Sequence, residues 1–165
     1  MGTDVHFFLE IRKNEGPWDI YPKCEGTSIA ALSGRSYVLF SLIAGVRSHG
    51  SKILFPPRGL PEDASDYIKT YFEASALDYG YHTPSWLTPK ELKFALDKWV
   101  KMVKNEYESV PSMKDPYRDP FNEPYRIDFT PIMFINQTLD WEKTENLILG
   151  TNNKTEFRFI FFFDS

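Results

Sequence analysis

The chain is poor in cysteine and has no long apolar run, and each absence narrows the kind of protein it can be. Cys24 is the single cysteine, which excludes an internal disulfide and a cysteine-based zinc cluster and favours a reducing compartment. No segment approaches the roughly 18 consecutive apolar residues of a membrane helix, and the N-terminus lacks a signal-peptide pattern. We therefore expect a cytoplasmic protein with no membrane partner.

Basic residues are also in short supply. Lys and Arg number 19 against 23 Asp and Glu, so the formal net charge is -4 at pH 7. This balance leaves no general basic surface, and we expect no duplex nucleic acid as a partner. The chain also lacks a GxSxG elbow, a P-loop, a dinucleotide fingerprint and an HExxH motif, which excludes the enzyme families that are recognised by those motifs.

Aromatic residues, by contrast, are abundant. There are 14 Phe, 9 Tyr and 4 Trp, which together make 16% of the chain, more than a core of ordinary composition requires. A length of 165 residues is typical of one domain. We predict a single domain over residues 1–165, in which the surplus rings either pack or bind a ligand.

Both ends of the chain have the pattern of β-strands. Residues 4–12, DVHFFLEIR, place Val5, Phe7, Leu9 and Ile11 on one face, which predicts a strand whose other face is polar. A turn over residues 14–17 leads to a short second strand at 18–21, and residues 156–163, EFRFIFFF, have the strongest strand pattern of all. The two termini are therefore predicted to lie in one sheet.

Three segments between these strands have helical patterns. Residues 36–46 are apolar nearly all round, which indicates a buried helix, and residues 62–77 can form a second one. The sequence TPKE at 88–91 is a capping box that starts a third helix. The lysines of this third helix, at positions 93, 98, 101 and 104, are predicted to face solvent.

The later part of the chain is less regular. Residues 109–126 contain four prolines and predict an irregular loop, whereas residues 138–149 fit either a short helix or a strand that leads into the last strand. Taken together, the patterns predict an α+β fold. We expect a small antiparallel sheet, made of the N-terminal hairpin and the C-terminal strand, backed by three or four helices.

Asp4, His6 and Asp164 form the first candidate site. If the first and last strands pair antiparallel, the start of one meets the end of the other, which brings Asp4 and His6 near Asp164. Two carboxylates and an imidazole are the groups that a divalent metal or a general base would use. In the alternative, structural interpretation the carboxylates cap strand ends and His6 is an ordinary half-buried histidine.

Arg35, Arg47 and Arg58 form the second candidate site, because they flank the buried helix or the proline-rich loop that follows it. Arginine is always charged and offers a planar fork of donors, so several arginines in one cleft would hold phosphate or carboxylate groups. In the structural interpretation each arginine ties down a loop by bonding carbonyls or by pairing with an acid such as Asp63 or Asp78.

The third candidate site is the stretch DYGYHTPSWLT, residues 78–88. It is predicted to be a loop before a helix N-terminus, where unpaired backbone N–H groups favour an anion. His82, Thr83, Ser85 and Trp86 are its candidate binding groups, with Trp86 or Tyr81 able to stack on a ring. The alternative is that Trp86 packs into the core and pins the loop.

Several of these segments, in order, resemble an uncharacterised family of small proteins from bacteriophages and some bacteria: MGTDVHFFLE, GRSYVLFSLIAGVR, PPRGLPEDAS, HTPSWLTPKEL and FFFDS. The resemblance spans the chain and is weakest between residues 108 and 155. Because no activity is established for that family, the resemblance implies no catalytic residues. It implies a phage origin and an accessory function inside an infected bacterium.

Three functions are therefore considered. The first is binding of a small anionic, nucleotide-like ligand, to sequester a host defence signal, through Arg35, Arg47, Arg58, His82 and Trp86. The second is a hydrolase, with a divalent metal as its possible cofactor, that uses Asp4, His6, His82 and Asp164. The third is inhibition of a host enzyme by a protein-binding surface anchored on Tyr117, Phe121 and Tyr125.

Overall fold

The first and last strands pair with each other at the centre of the sheet in a computed structural model of the protein. The structure describes residues 2–21, 37–48, 52–109 and 155–164. Within these residues the elements are β1 (Val5–Lys13), β2 (Asp19–Ile20), α1 (Tyr37–Ala44), α2 (Asp66–Tyr79), β3 (His82–Leu87), α3 (Pro89–Ser109) and β4 (Thr155–Phe163). None of the described helices has the length and apolar character needed to cross a membrane.

The described strands form one antiparallel sheet in the order β2-β1-β4-β3. β1 and β4 pair over their whole length, from Val5 opposite Phe163 to Lys13 opposite Thr155. The short hairpin strand predicted at 18–21 is present as β2 and pairs with β1. The predicted α+β fold with a small antiparallel sheet is therefore confirmed.

The prediction of a loop over residues 78–88 is wrong. Residues 78 and 79 end α2, and most of the remainder is the edge strand β3, which pairs with β4. The segment contains Pro84 and few apolar residues, which is why it has no strand pattern of its own. Tertiary contacts stabilise the strand instead: it pairs with β4, and its residues Ser85 and Leu87 are buried.

Helices cover both faces of the sheet. On one face, Phe40 of α1 lies 5.1 Å from Phe163, ring centre to ring centre, and α3 packs against α1 and β4. On the other face, Tyr71 and Phe72 of α2 contact Phe8 and Phe162 at 5.0 and 5.2 Å. The central strands are consequently buried on both sides.

The expected polar face of the first strand is therefore wrong in part. Phe8 and Glu10 point to that face, yet neither side chain is exposed to solvent. The alternation of the sequence is real, but α2 covers the face that was assigned to water. Two-sided burial is typical of a strand whose sheet is sandwiched between helices.

The helix boundaries follow from their caps. α1 is buried as predicted and ends just before Gly45, which has a positive φ of 69°. α2 begins at Asp66, later than predicted, because the side chain of Ser65 accepts a hydrogen bond from the Ile68 N–H and caps the helix. In α3 the predicted capping box is confirmed, and the described side chains of Lys93, Lys98 and Lys101 are exposed.

Several predicted features lie outside the described residues. They are Cys24, the possible helix or strand at 138–149, and the irregular loop at 109–126 apart from Ser109, which ends α3.

A buried ion pair joins the two central strands. Glu10 and Arg158 face each other across the β1–β4 ladder, with 2.6 Å between Oε2 and Nε and side chains that are 0% and 6% exposed. Arg158 also donates to the Asp63 carboxylate at 2.7 Å, and this hydrogen bond holds the pKa of Asp63 below its usual value. Glu10 accepts in addition from the backbone N–H of Ser65 at 2.7 Å. The pair therefore ties the sheet to the start of α2.

Trp18 closes this network at the surface. Its ring contacts two guanidinium groups, 4.7 Å from Cζ of Arg12 and 4.0 Å from Cζ of Arg158. The indole N–H donates to Asp63 at 3.0 Å. These two cation–π contacts and the hydrogen bond fix the hairpin turn against the sheet.

Removal of one partner from the buried pair should be strongly destabilising. We expect Arg158→Met to lower the free energy of unfolding by about 3 to 5 kcal/mol, because the Glu10 carboxylate would remain buried without its cation. The double variant Glu10→Leu/Arg158→Met should recover much of this loss. Urea denaturation measures both, with the exposed Lys101→Gln as control; a single variant within about 1 kcal/mol of wild type would contradict the expectation.

Candidate functional site

The polar residues of the first candidate site meet at one end of the sheet. The last rung of the ladder there is formed by Val5, Phe163 and His82, and Asp4 and Asp164 lie just beyond it. We call this region the Val5 end. It comprises Thr3, Asp4, His6, Tyr81, His82 and Asp164.

His6 and Asp164 are in direct contact, as the strand pairing predicted. His6 Nε2 lies 3.1 Å from Asp164 Oδ2, and the two side chains are 21% and 29% exposed. The other carboxylate oxygen of Asp164 accepts the backbone N–H of Asp4 at 2.8 Å, while the Asp164 N–H donates to the Asp4 carbonyl at 3.1 Å. The backbone thus orients the carboxylate, and the carboxylate orients the imidazole.

This arrangement decides which nitrogen of His6 is available for chemistry. When Nε2–H donates to Asp164, the other ring nitrogen, Nδ1, carries the lone pair. No hydrogen bond to Nδ1 is made by the residues that the structure describes. A half-exposed imidazole held in one tautomer by a carboxylate is the arrangement that general bases require.

Tyr81 packs against this pair. Its ring centre lies 4.8 Å from that of His6 and 5.0 Å from that of Phe162. Burial, followed by a hydrogen bond with Tyr71 and the negative charge of Asp164, raises the pKa of Tyr81 well above its ordinary value. Tyr81 is therefore a neutral phenol throughout the physiological pH range. The sequence analysis predicted only a stacking role for this residue.

The aromatic contacts continue from Tyr81 to the surface. Tyr79, at the end of α2, lies 6.0 Å from Tyr81 and is 66% exposed. The neighbouring Leu77 is 90% exposed. An accessible ring therefore lies next to Tyr81, which itself packs on His6.

A metal site is not formed by the residues that the structure describes. Among them no group of three or more His, Cys, Asp or Glu side chains is placed to hold a metal ion. His6 and Asp164 bind each other, whereas a metal usually requires three or four such ligands around it. The geometry thus fits a base and its orienting carboxylate better than a pair of metal ligands.

His82 directly precedes a strained residue, Thr83, in the edge strand. A bulge interrupts the β3–β4 pairing between His82 and Ser85, and Thr83 within it has a φ of +50°. The left-handed region is rare for a β-branched residue, and such strain is concentrated at functional sites in proteins. The Thr83 hydroxyl lies 2.8 Å from His82 Nδ1, and the imidazole stacks on Phe163 at 6.1 Å.

Arg47 reaches the Val5 end from the loop after α1. Its Nε and Nη2 both donate to the hydroxyl of the buried Thr3, at 3.1 and 2.9 Å, and its guanidinium lies 5.9 Å from the Tyr37 ring. Arg47 is exposed and has a positive φ of 55°.

Among the described residues no carboxylate forms a salt bridge with Arg47. Each of the other described arginines has one: Arg12 binds Glu156, Arg58 binds Glu91 and Arg158 binds Glu10.

Arg58 forms a separate cluster with Ser85 and Trp86. Both of its Nη atoms donate to Glu91, its Cζ lies 4.6 Å from the Trp86 ring, and its backbone N–H donates to the Ser85 hydroxyl at 3.1 Å. The paired acid is Glu91 rather than the expected Asp63 or Asp78. Trp86 is half-buried against the core, in agreement with its structural interpretation.

The three predicted arginines are therefore not shown in one cleft. Arg47 and Arg58 share no contact residue, and Arg35 lies outside the described residues, as do Tyr117, Phe121 and Tyr125. Sequence reasoning also passed over Glu10 and Arg158. The available signal was a single charge within each of two apolar strands, at positions that pair once the register is known.

A scan against protein-family models and searches of curated proteins and of solved structures gave no match to this chain.

The strain at Thr83 should be measurable. We expect Thr83→Gly to be more stable than Thr83→Ala by about 1 kcal/mol, because glycine adopts a positive φ without the steric cost that a Cβ imposes. Both variants lose the hydroxyl contact to His82, so the comparison isolates the backbone term. Thermal unfolding of the two variants measures it; equal stabilities would show that Thr83 is not strained.

The Arg58–Glu91 pair predicts a specific acid sensitivity. The hydrogen bond from Arg58 is the main cause that holds the pKa of Glu91 below its ordinary value of 4.5. A depressed pKa contributes stability above the unfolded-state value, and this stability is lost as the pH falls through the folded-state value. Between about pH 5 and pH 3, wild type should therefore lose more unfolding free energy than Glu91→Gln. Parallel pH–denaturation curves for the two proteins would contradict this.

Proposed function

We propose that this protein binds a small anionic ligand at the Val5 end of its sheet, with Arg47 as the anion-binding group. The observation that carries the proposal is the state of Arg47: it is exposed, and no described carboxylate neutralises it. Arg58, Ser85 and Trp86 are left out of the proposed site because they already bind one another and Glu91.

The surroundings of Arg47 prepare it for this role. Two of its five N–H groups hold the Thr3 hydroxyl, and the Tyr37 ring lies beside the guanidinium. A side chain that is already restrained loses less conformational entropy when it binds a ligand. The remaining N–H donors can bind two oxygens of a phosphate or of a carboxylate.

Neighbouring groups favour a ligand that carries a ring as well as an anion. The rings of Tyr79 and His82, exposed and half-buried respectively, are located at or near the same end of the sheet. Both ring types stack on bases. A nucleotide-like ligand supplies a ring and a phosphate together. The resemblance to phage proteins motivates the biological role: sequestration of a host defence signal in the bacterial cytoplasm.

Ligand identity can be tested directly by native mass spectrometry of the purified protein. Mild denaturation would then release any bound small molecule for identification. A co-purifying phosphorylated compound is the expected result. A bare chain that also fails to bind inorganic phosphate, AMP or a cyclic dinucleotide in calorimetric titrations would overturn the proposal.

The role of Arg47 has a matched control. We expect Arg47→Gln to weaken binding of the ligand identified above by about tenfold or more, since a hydrogen bond to a charged group contributes about 1.5 to 3 kcal/mol. Lys101→Gln makes the same change of charge at an exposed site on α3 and should bind normally. Equal affinities for wild type and Arg47→Gln in calorimetric titration would show that the anion binds elsewhere.

A further inference from the structure

His6 has a geometry that binding alone does not require. The backbone N–H of Asp4 fixes the Asp164 carboxylate at 2.8 Å, and this carboxylate fixes His6 Nε2 at 3.1 Å. Tyr81 packs on the imidazole at a ring distance of 4.8 Å and is itself neutral. The imidazole is thus restrained by a hydrogen bond at one nitrogen and by a ring packed against it, while Nδ1 has no described partner.

We propose that His6 is a general base and that the protein hydrolyses an ester bond of its anionic ligand. This inference rests on the proposed function, since the ligand bound through Arg47 would be the substrate. Asp164 is a positioning residue in this scheme, because it acts through His6. The substrate class is an anionic ester, with a phosphodiester or phosphomonoester as the first to test.

The distance between the two groups sets the size of the substrate. Arg47 is held at Thr3, and the Cα atoms of Thr3 and His6 are at most about 10 Å apart, because three residues of chain reach no further. Arg47 follows α1, which packs on the Phe163 face of the sheet, whereas His6 contacts Tyr81 and Phe162 on the face covered by α2. The substrate must therefore cross the end of the sheet to reach both groups. A ligand with two separate phosphate groups, such as a dinucleotide, can place one at Arg47 and the reacting one at His6, whereas a mononucleotide with a single phosphate cannot.

The reaction step balances without a further reactant. A water molecule gives one proton to His6 Nδ1 while its oxygen forms a bond to the phosphorus of the ester. The bond between phosphorus and the leaving alkoxide oxygen breaks, and that oxygen takes a proton from solvent. His6 then returns its proton to water, which regenerates the neutral imidazole. No residue changes oxidation state, and the products are an alcohol and a phosphate.

The first experiment measures turnover of bis(p-nitrophenyl) phosphate, p-nitrophenyl phosphate and the co-purified ligand by the full-length protein. We expect release of p-nitrophenol or of the matching alcohol, and a loss of about 100-fold or more in kcat for His6→Ala, since a positioned general base contributes at least that much. Added imidazole should restore part of the activity of His6→Ala. A purely structural role for His6 would not give this rescue.

Asp164→Asn separates position from charge. The amide can still accept the Asp4 N–H through its oxygen, but its NH2 group would donate to His6 Nε2 and force the proton onto Nδ1. The base would then be in the wrong tautomer, so we expect kcat to fall by about tenfold or more with little change in KM or in the melting temperature. Lys101→Gln should retain wild-type kcat.

The outcomes distinguish the two proposals. If the ligand binds through Arg47 and neither the ligand nor the p-nitrophenyl esters are hydrolysed, the hydrolase inference is overturned and the binding function remains intact. Turnover that persists in His6→Ala would also overturn the inference. Turnover that depends on His6 but not on Arg47 would instead count against the proposed binding function.

Discussion

The antiparallel pairing of the first and last strands is the interaction on which the rest of the structure depends. It joins residues as far apart in sequence as His6 and Asp164, and it supplies the two central strands of the sheet. The entropic cost of closing so long a loop grows only slowly with its length. Burial of Phe7, Phe8 and Phe161 on both faces of this pair offsets that cost through the hydrophobic effect.

Register links the core to the candidate site. A slip of one residue between β1 and β4 would move every side chain to the opposite face, and it would separate Glu10 from Arg158 and His6 from Asp164 together. The buried Glu10–Arg158 pair makes such a slip costly, because each charge would lose its partner inside the protein. An ion pair in the interior of the ladder thus helps to define the geometry of the histidine near its Val5 end.

Local pairing decides which arginines remain available to a ligand. Arg12, Arg58 and Arg158 each have a carboxylate nearby, so their charge is largely neutralised within the protein. Arg47 is held by a hydroxyl and an aromatic ring, which restrain the guanidinium without neutralising it. Composition therefore says little about the binding potential of an arginine, and the identity of its neighbour says a great deal.

The sequence by itself determined the central strands, the three helices and the α3 cap, because each depends on local periodicity or on a local capping motif. It also determined the proximity of Asp4, His6 and Asp164, which follows from the antiparallel geometry of two strong strands. Only the tertiary structure decided the burial of Phe8 and Glu10, the strand at His82–Leu87 and the different partners of Arg47 and Arg58. These features depend on contacts between segments that are distant in the chain. Local propensity does not encode such contacts, and packing of the folded chain selects them.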